Sequence, residues 1–212
     1  MTETITVGEN DVLLVVDVQN DFCPGGKLAV PRGDEVVPII NRIAKRFRHV
    51  VLTQDWHPPG HHSFASSHRD KRPFETVTVD YGQQILWPDH CVQGTSGAQF
   101  HDSLQIPHAA LVLRKGFRSR IDSYSAFYEN DRKTSTGLAS YLRERGLTRV
   151  FVAGLALDFC VRYSAEDARR EGFTVVVIED ACRGIDVDGS VAATRESFAP
   201  LGVKTVSADA IG

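Results

Sequence analysis

The chain lacks a dominant charge, a long apolar run and closely spaced cysteines, and each absence narrows its function. Of 212 residues, 24 are basic and 27 acidic, a net charge of −3. No Lys/Arg block or interleaving of basic and aromatic residues supplies the electrostatic footprint of a nucleic-acid binder. A small molecule is the better-matched partner. No stretch approaches the ~18 apolar residues that span a bilayer, and residues 1–6 show no basic leader before an apolar segment. The expectation is a soluble, cytoplasmic protein with no membrane partner. The four cysteines, Cys23, Cys91, Cys160 and Cys182, are scattered and form no C-x-x-C pair, so free thiols are expected rather than disulfides. Internal repeats, low-complexity tracts and linker-like segments are also absent. One domain covering 1–212 is therefore expected.

What is present alternates. Asp11 to Val16 is a continuous apolar run ended by the carboxylate of Asp17, the pattern of a parallel strand buried on both faces. Helical spacing over 36–48 follows, then a strand at 49–54. Further strands are expected at 109–113, 149–153, 174–178 and 203–206, and helices at 136–145, 159–171 and 189–198. This order predicts an α/β fold of three layers, a mostly parallel central sheet flanked by helices with a Rossmann-like strand order. Residues 55–108 read as a long loop region, dense in Pro, Gly, His and Ser. Its Trp56, Phe64, Phe74 and Trp87 argue for order, and an ordered loop this long is usually functional.

Two constellations carry chemistry. Asp17, Lys115 and Cys160 each fall at or just beyond a strand end, where a parallel sheet binds its ligands. Cys160 is expected in the first turn of a helix, a setting that together with a lysine lowers a thiol pKa. Taken singly, each is explained by packing or capping; their agreement points to a nucleophile with its supporting groups. The second constellation is the stretch "DWHPPGHHSFASSH" followed by "WPDHC". Five of the eight histidines fall between His57 and His90. Asp55-x-His57 leaving a strand can aim a carboxylate and an imidazole the same way, with His90 as a third metal ligand and His61 as a candidate fourth. Phe22 and Trp87 could sandwich a flat ring.

Six segments in order, "VVDVQNDFCPGGKLAV", "TQDWHPPGHHSFA", "WPDHCVQGTSGAQFH", "RKGF", "DSYSAF" and "VAGLALDFCVRYSAEDA", span nearly the whole chain. In them the sequence resembles the isochorismatase-like cysteine hydrolase superfamily, and within it the branch that hydrolyses nicotinamide. The resemblance implies Cys160 as nucleophile, Asp17 as proton-transferring acid and base, and Lys115 as the cation beside both. It implies Asp55, His57 and His90 as metal ligands, with zinc foremost and iron or manganese as the other candidates. It further implies a cis Leu155-Ala156 peptide, an oxyanion hole from the N–H groups of Ala156 and Cys160, and pocket walls from Phe22, Trp87 and Tyr124. Hydrolysis of nicotinamide to nicotinate and ammonia in NAD salvage, with pyrazinamide as a second substrate, is the implied activity. Members are often homo-oligomers. The competing readings are an amidase for maleamate or ureidoacrylate, an isochorismatase, or a metal-binding or redox-sensing thiol protein. The first two generally lack the D-x-H site or the cysteine that stand here.

Overall fold

The computed structural model describes residues 4–212. In chain order the regular elements are β1 (Asp11–Val16), α1 (Val36–Ala44), β2 (His49–Asp55), β3 (Thr76–Val79), β4 (Gly82–Ile85), β5 (Leu111–Lys115), α2 (Leu138–Glu144), β6 (Arg149–Leu155), α3 (Arg162–Arg170), β7 (Thr174–Arg183), α4 (Ser190–Phe198) and β8 (Lys204–Val206). Six strands form one parallel sheet in the order β5-β2-β1-β6-β7-β8. Counting only these strands, the order is that of a Rossmann sheet, as expected from the sequence. Among the described residues no helix is long and apolar enough to cross a membrane.

The central strands are buried along their length because they have neighbours on both edges and helices over the sheet: all six residues of β1 are buried. The helix α1 places Val36, Val37, Ile40, Ile43 and Ala44 inward, against β6 and β7. Pro38 is tolerated there because the first turn of a helix has no intrahelical acceptor for its missing N–H. From β1 the chain winds outward to β2 and β5, then crosses back to β6 and winds the other way. The switch point therefore lies between β1 and β6, and the ends of those strands diverge into a crevice.

Several elements and boundaries differ from the sequence expectation. Strand β5 begins at Leu111 rather than Ala109 and ends on Lys115, which pairs in register with Asp55. Lys115 is thus the last residue of a strand, beside the first candidate metal ligand. The region 55–108 contains the antiparallel hairpin β3–β4, in which Thr76-Val77-Thr78-Val79 alternates over only four residues, too short a run to stand out from the loop. The helix expected over 159–171 is instead a π-helical turn, Leu157–Val161, running into α3. Strand β7 also runs on to Arg183, with a register shift opposite Val152 and Gly154.

Gly154 permits the closest approach at the switch point. It pairs with Val16, has φ +126°, and a Cβ there would run into the Val16 backbone. Gly154→Ala is therefore expected to destabilise the fold by about 2–3 kcal/mol, the range of overpacking against an unyielding neighbour. Urea unfolding of the two proteins measures this, and an unchanged midpoint would contradict it.

Candidate active site

The carboxyl ends of β1, β2, β5 and β6 bring together the residues that the sequence analysis singled out. Asp17 follows β1 with φ 48°, a left-handed turn that Asp tolerates better than most residues. Its N–H donates to Thr53 Oγ1 at 3.2 Å and the Thr53 hydroxyl donates back to Asp17 Oδ1 at 2.6 Å. Thr53 was not among the sequence candidates. The signal was there: it is two residues before Asp55 on the same face of β2 and is polar within an apolar strand.

Lys115 is the centre of the cluster, with its ammonium fully buried. It donates to Asp55 Oδ1 at 2.5 Å, to the Ser123 carbonyl at 2.8 Å and to Cys160 Sγ at 3.4 Å. Asp17 Oδ2 lies 2.8 Å from the same nitrogen as an ion pair, so four acceptors surround the three ammonium protons. The result is a buried carboxylate oxygen that shares one cation with Asp55 and the cysteine sulfur.

Electrostatics corrects one expectation. Burial pushes the Cys160 thiol well above its ordinary range, and Lys115 opposes this without reversing it. The resting group is the thiol, not the thiolate that helix-end reasoning anticipated. Two causes account for the difference: Cys160 is in the π-helical turn before α3, and it is almost wholly buried. Burial likewise raises the Asp17 carboxyl, again against Lys115. Asp55 behaves oppositely: burial works against its charge, but Lys115 and His57 hold its carboxyl well below the usual range.

Asp55 Oδ2 also faces His57 Nε2 at 3.5 Å and His90 Nε2 at 3.7 Å. Each imidazole has its other nitrogen on a carbonyl, His57 Nδ1 on Gly116 at 2.9 Å and His90 Nδ1 on Pro88 at 2.8 Å. A carbonyl only accepts, so Nδ1–H donates in both rings and Nε2 is the nitrogen each turns towards Asp55. A carboxylate oxygen and two imidazole lone pairs, all within 4.8 Å of one another, fit a divalent cation. Charge agrees, since two carboxylates against one lysine give the buried cluster a deficit that a cation offsets. His61 does not complete this set: its Nδ1 meets Ser63 and its Nε2 meets the carbonyls of Arg118 and Ile121. Its ring packs 4.5 Å from that of His57 instead.

Phe22, Trp87 and Tyr124 line one cavity with Asp55, His90, Ala156 and Cys160. The sequence analysis missed Leu28, Asp122, Phe159 and Ile185 on the same walls. The Phe159 ring lies edge-on between Trp87, at 4.9 Å, and Tyr124, at 5.6 Å. The Leu155-Ala156 peptide is cis. Asp158, in the π-helical turn, accepts hydrogen bonds from the N–H groups of Ile185 and Asp186 and from the Ser190 hydroxyl. It ties the cysteine turn to the Ile185 wall. A roomier cavity of about 650 Å³ beside β7 and α4 holds Cys182, whose thiol burial pushes up to about 12. All four cysteines are free and buried.

The isochorismatase domain matches residues 11–210. A nicotinamidase of Acinetobacter baylyi is 52% identical over 198 residues, covering 93% of this chain and 92% of that protein. A solved nicotinamidase and pyrazinamidase of Acinetobacter baumanii superposes with a TM-score of 0.94 at 53% identity, covering 95% of this chain and 98% of that one. A pyrazinamidase of Pyrococcus horikoshii, solved in complex with zinc, has a TM-score of 0.77 at 34% identity, over 93% and 99% of the two chains.

The buried ion cluster makes a stability prediction. Lys115→Met leaves Asp17 and Asp55 without their shared cation and is expected to cost about 3–5 kcal/mol, the range for breaking a buried pair. Urea unfolding at neutral pH checks it; a loss below about 1 kcal/mol, the scale of an exposed pair, would contradict it.

Proposed function

The chain belongs to the isochorismatase-domain family, and we propose that within it the protein is a nicotinamidase, hydrolysing nicotinamide to nicotinate and ammonia and accepting pyrazinamide as well. In this reading it serves NAD salvage. The observation that carries the mechanism is the Lys115 cluster: a thiol and a carboxylate oxygen held by one ammonium, at the wall of an aromatic cavity.

The steps follow from that arrangement. Asp17 Oδ2 takes the thiol proton as the sulfur of Cys160 bonds to the amide carbon. Lys115 stabilises the negative charge as it passes from carboxylate to sulfur and keeps the two groups adjacent. The N–H groups of Ala156 and Cys160 receive the negative oxygen of the tetrahedral intermediate; one such donor is typically worth about 2.7–4 kcal/mol. The C–N bond then breaks, with Asp17 returning its proton to the leaving ammonia. Water, deprotonated by Asp17, attacks the thioester carbon, nicotinate departs and the thiol is restored. Phe22, Trp87 and Tyr124 hold the ring. Asp55, His57 and His90 would hold a divalent ion, zinc first given the imidazole and carboxylate donors, which when bound supplies a Lewis-acid contact that orients the substrate ring.

Two measurements test this. Purified protein is expected to release ammonia from nicotinamide and from pyrazinamide, and Cys160→Ala to lower the rate by about 10⁴-fold or more. Undiminished release by that variant would remove the nucleophile assignment. The second is the pH profile. Asp17 must be ionised to accept the thiol proton, and burial raises its pKa, so kcat/KM should fall as pH drops through a value above the ordinary 3.8. Asp17→Asn is expected to abolish that limb with about 10²–10⁴-fold of the rate; an acid limb retained in the variant would assign it to another group.

A further inference from the structure

The hairpin β3–β4 stands apart from the main sheet, and Gln84 is the one fully buried side chain on its two strands. A strand normally buries an apolar residue; here it buries an amide. The groups that amide bonds are on the cavity wall or next to it. Gln84 Nε2 donates to the Ile85 carbonyl at 2.7 Å and to Asp122 Oδ2 at 2.9 Å, and lies 3.1 Å from the Tyr124 hydroxyl. Gln84 Oε1 accepts from the Tyr81 hydroxyl at 2.9 Å and from Asn130 Nδ2 at 3.4 Å. A carbonyl and a carboxylate on one side can only accept, so the amide cannot be flipped. Asn130 in turn accepts the Tyr124 N–H through Oδ1 at 3.0 Å, fixing the tyrosine backbone from the same network.

The consequence falls on one proton. Tyr124 Oη has two nitrogen neighbours, Gln84 Nε2 and Trp87 Nε1, each at 3.1 Å. Neither an amide nitrogen nor an indole nitrogen has a lone pair to offer, so neither can take the phenol proton: the indole N–H donates to the hydroxyl, and the amide, with two protons facing three acceptors, can only share one with it. Among the described residues the hydroxyl donates to none. Burial pushes its pKa well above the ordinary tyrosine range, so the proton stays on throughout the neutral range. The ring lines the same cavity as Cys160, Asp55 and His90.

We propose that Gln84 is a positioning residue: with Trp87 it occupies the acceptor side of the Tyr124 hydroxyl and so directs the phenol proton into the cavity, as a hydrogen-bond donor to an acceptor atom of the bound amide. This deepens the reading of the site as a nicotinamidase and rests on it. The acceptor is a lone pair of the substrate, on its ring nitrogen or its carboxamide oxygen. Gln84 touches no substrate atom and acts only through the tyrosine.

A double-mutant cycle on the whole enzyme tests this, with kcat/KM read from ammonia release. Tyr124→Phe and Gln84→Leu are each expected to lower kcat/KM for nicotinamide about tenfold, the value of one neutral hydrogen bond. The double variant should be no worse than Tyr124→Phe alone, because without the hydroxyl there is nothing for Gln84 to direct. Losses that multiply would overturn the proposal, since a purely structural Gln84 would weaken both backgrounds equally. So would a Tyr124→Phe enzyme as active as the parent. If Gln84→Leu does not fold, as judged by urea unfolding, the less disruptive Gln84→Met takes its place in the cycle. Benzamide, which has the carboxamide without the ring nitrogen, identifies the acceptor: a smaller Tyr124→Phe loss than with nicotinamide assigns the ring nitrogen, and an equal loss the carboxamide oxygen. A parent enzyme that releases no ammonia from nicotinamide overturns the functional reading and this inference together; an active parent with multiplying losses overturns the inference alone.

Discussion

One buried ammonium organises this molecule's chemistry. Removing a cation from water costs several kcal/mol even after relaxation, and Lys115 offsets that only because Asp17 and Asp55 flank it. The two carboxylates are not equivalent partners. Lys115 and His57 hold the Asp55 carboxyl well below the usual range, whereas burial raises that of Asp17 against the same lysine. The same lysine therefore stabilises a fixed anion on the metal-ligand side and a proton acceptor on the cysteine side. Its third distinct contact, to Cys160 Sγ, links the halves. Replace the lysine by any neutral group and both sides lose their reference charge.

Sheet topology makes that single contact possible. Winding outward in both directions from the centre places β1 beside β6, so Asp17 and the cysteine turn face each other across the switch point although well over a hundred residues separate them. Parallel register places Asp55 directly opposite Lys115 on the next pair of strands. The loop region between β2 and β5 then folds back: His57 pairs with Val92, its N–H donating to the Cys91 carbonyl and its own carbonyl accepting from Gln93. That local bridge sets His90 beside His57. Gln19 braces the same point by donating to the Asp55 and Ala98 carbonyls and accepting the Asp55 N–H.

How much of this could be read from the sequence depended on whether a residue's role is local. Asp11 to Val16 announces a buried strand because apolar runs have few other uses, and Asp17, Asp55 and His57 are legible as polar groups at the end of such runs. The resemblance of six ordered segments supplied what spacing could not, including Ala156 and Tyr124. The failures share a cause. Lys115 was placed past its strand because Ala109 and Ala110 look as strand-like as Leu111, and only the pairing with β2 decides. The hairpin escapes because the Thr-Val alternation of β3 is only four residues long and β4 buries a hydrogen-bonding group, Gln84. The state of Cys160 was misjudged because the depth of burial, invisible in sequence, outweighs the neighbouring charge.

That last difference bears on how the cysteine would be used. A standing thiolate, stabilised by a helix end, is reactive towards any electrophile that reaches it and open to oxidation. Here burial and the carboxylates keep the thiol protonated, and Lys115 narrows the gap without closing it. In the proposed mechanism the thiolate forms only as its proton passes to Asp17, whose Oδ2 faces a cation that already stabilises one negative charge. Transfer moves that charge from oxygen to sulfur beside the same ammonium, so the lysine stabilises both ends of the step and little reorganisation is needed. The chemistry is then gated by proton transfer and by what fits against Phe22, Trp87 and Tyr124, not by a permanently activated nucleophile. A site built this way gains selectivity from the burial that makes its cysteine a poor nucleophile at rest.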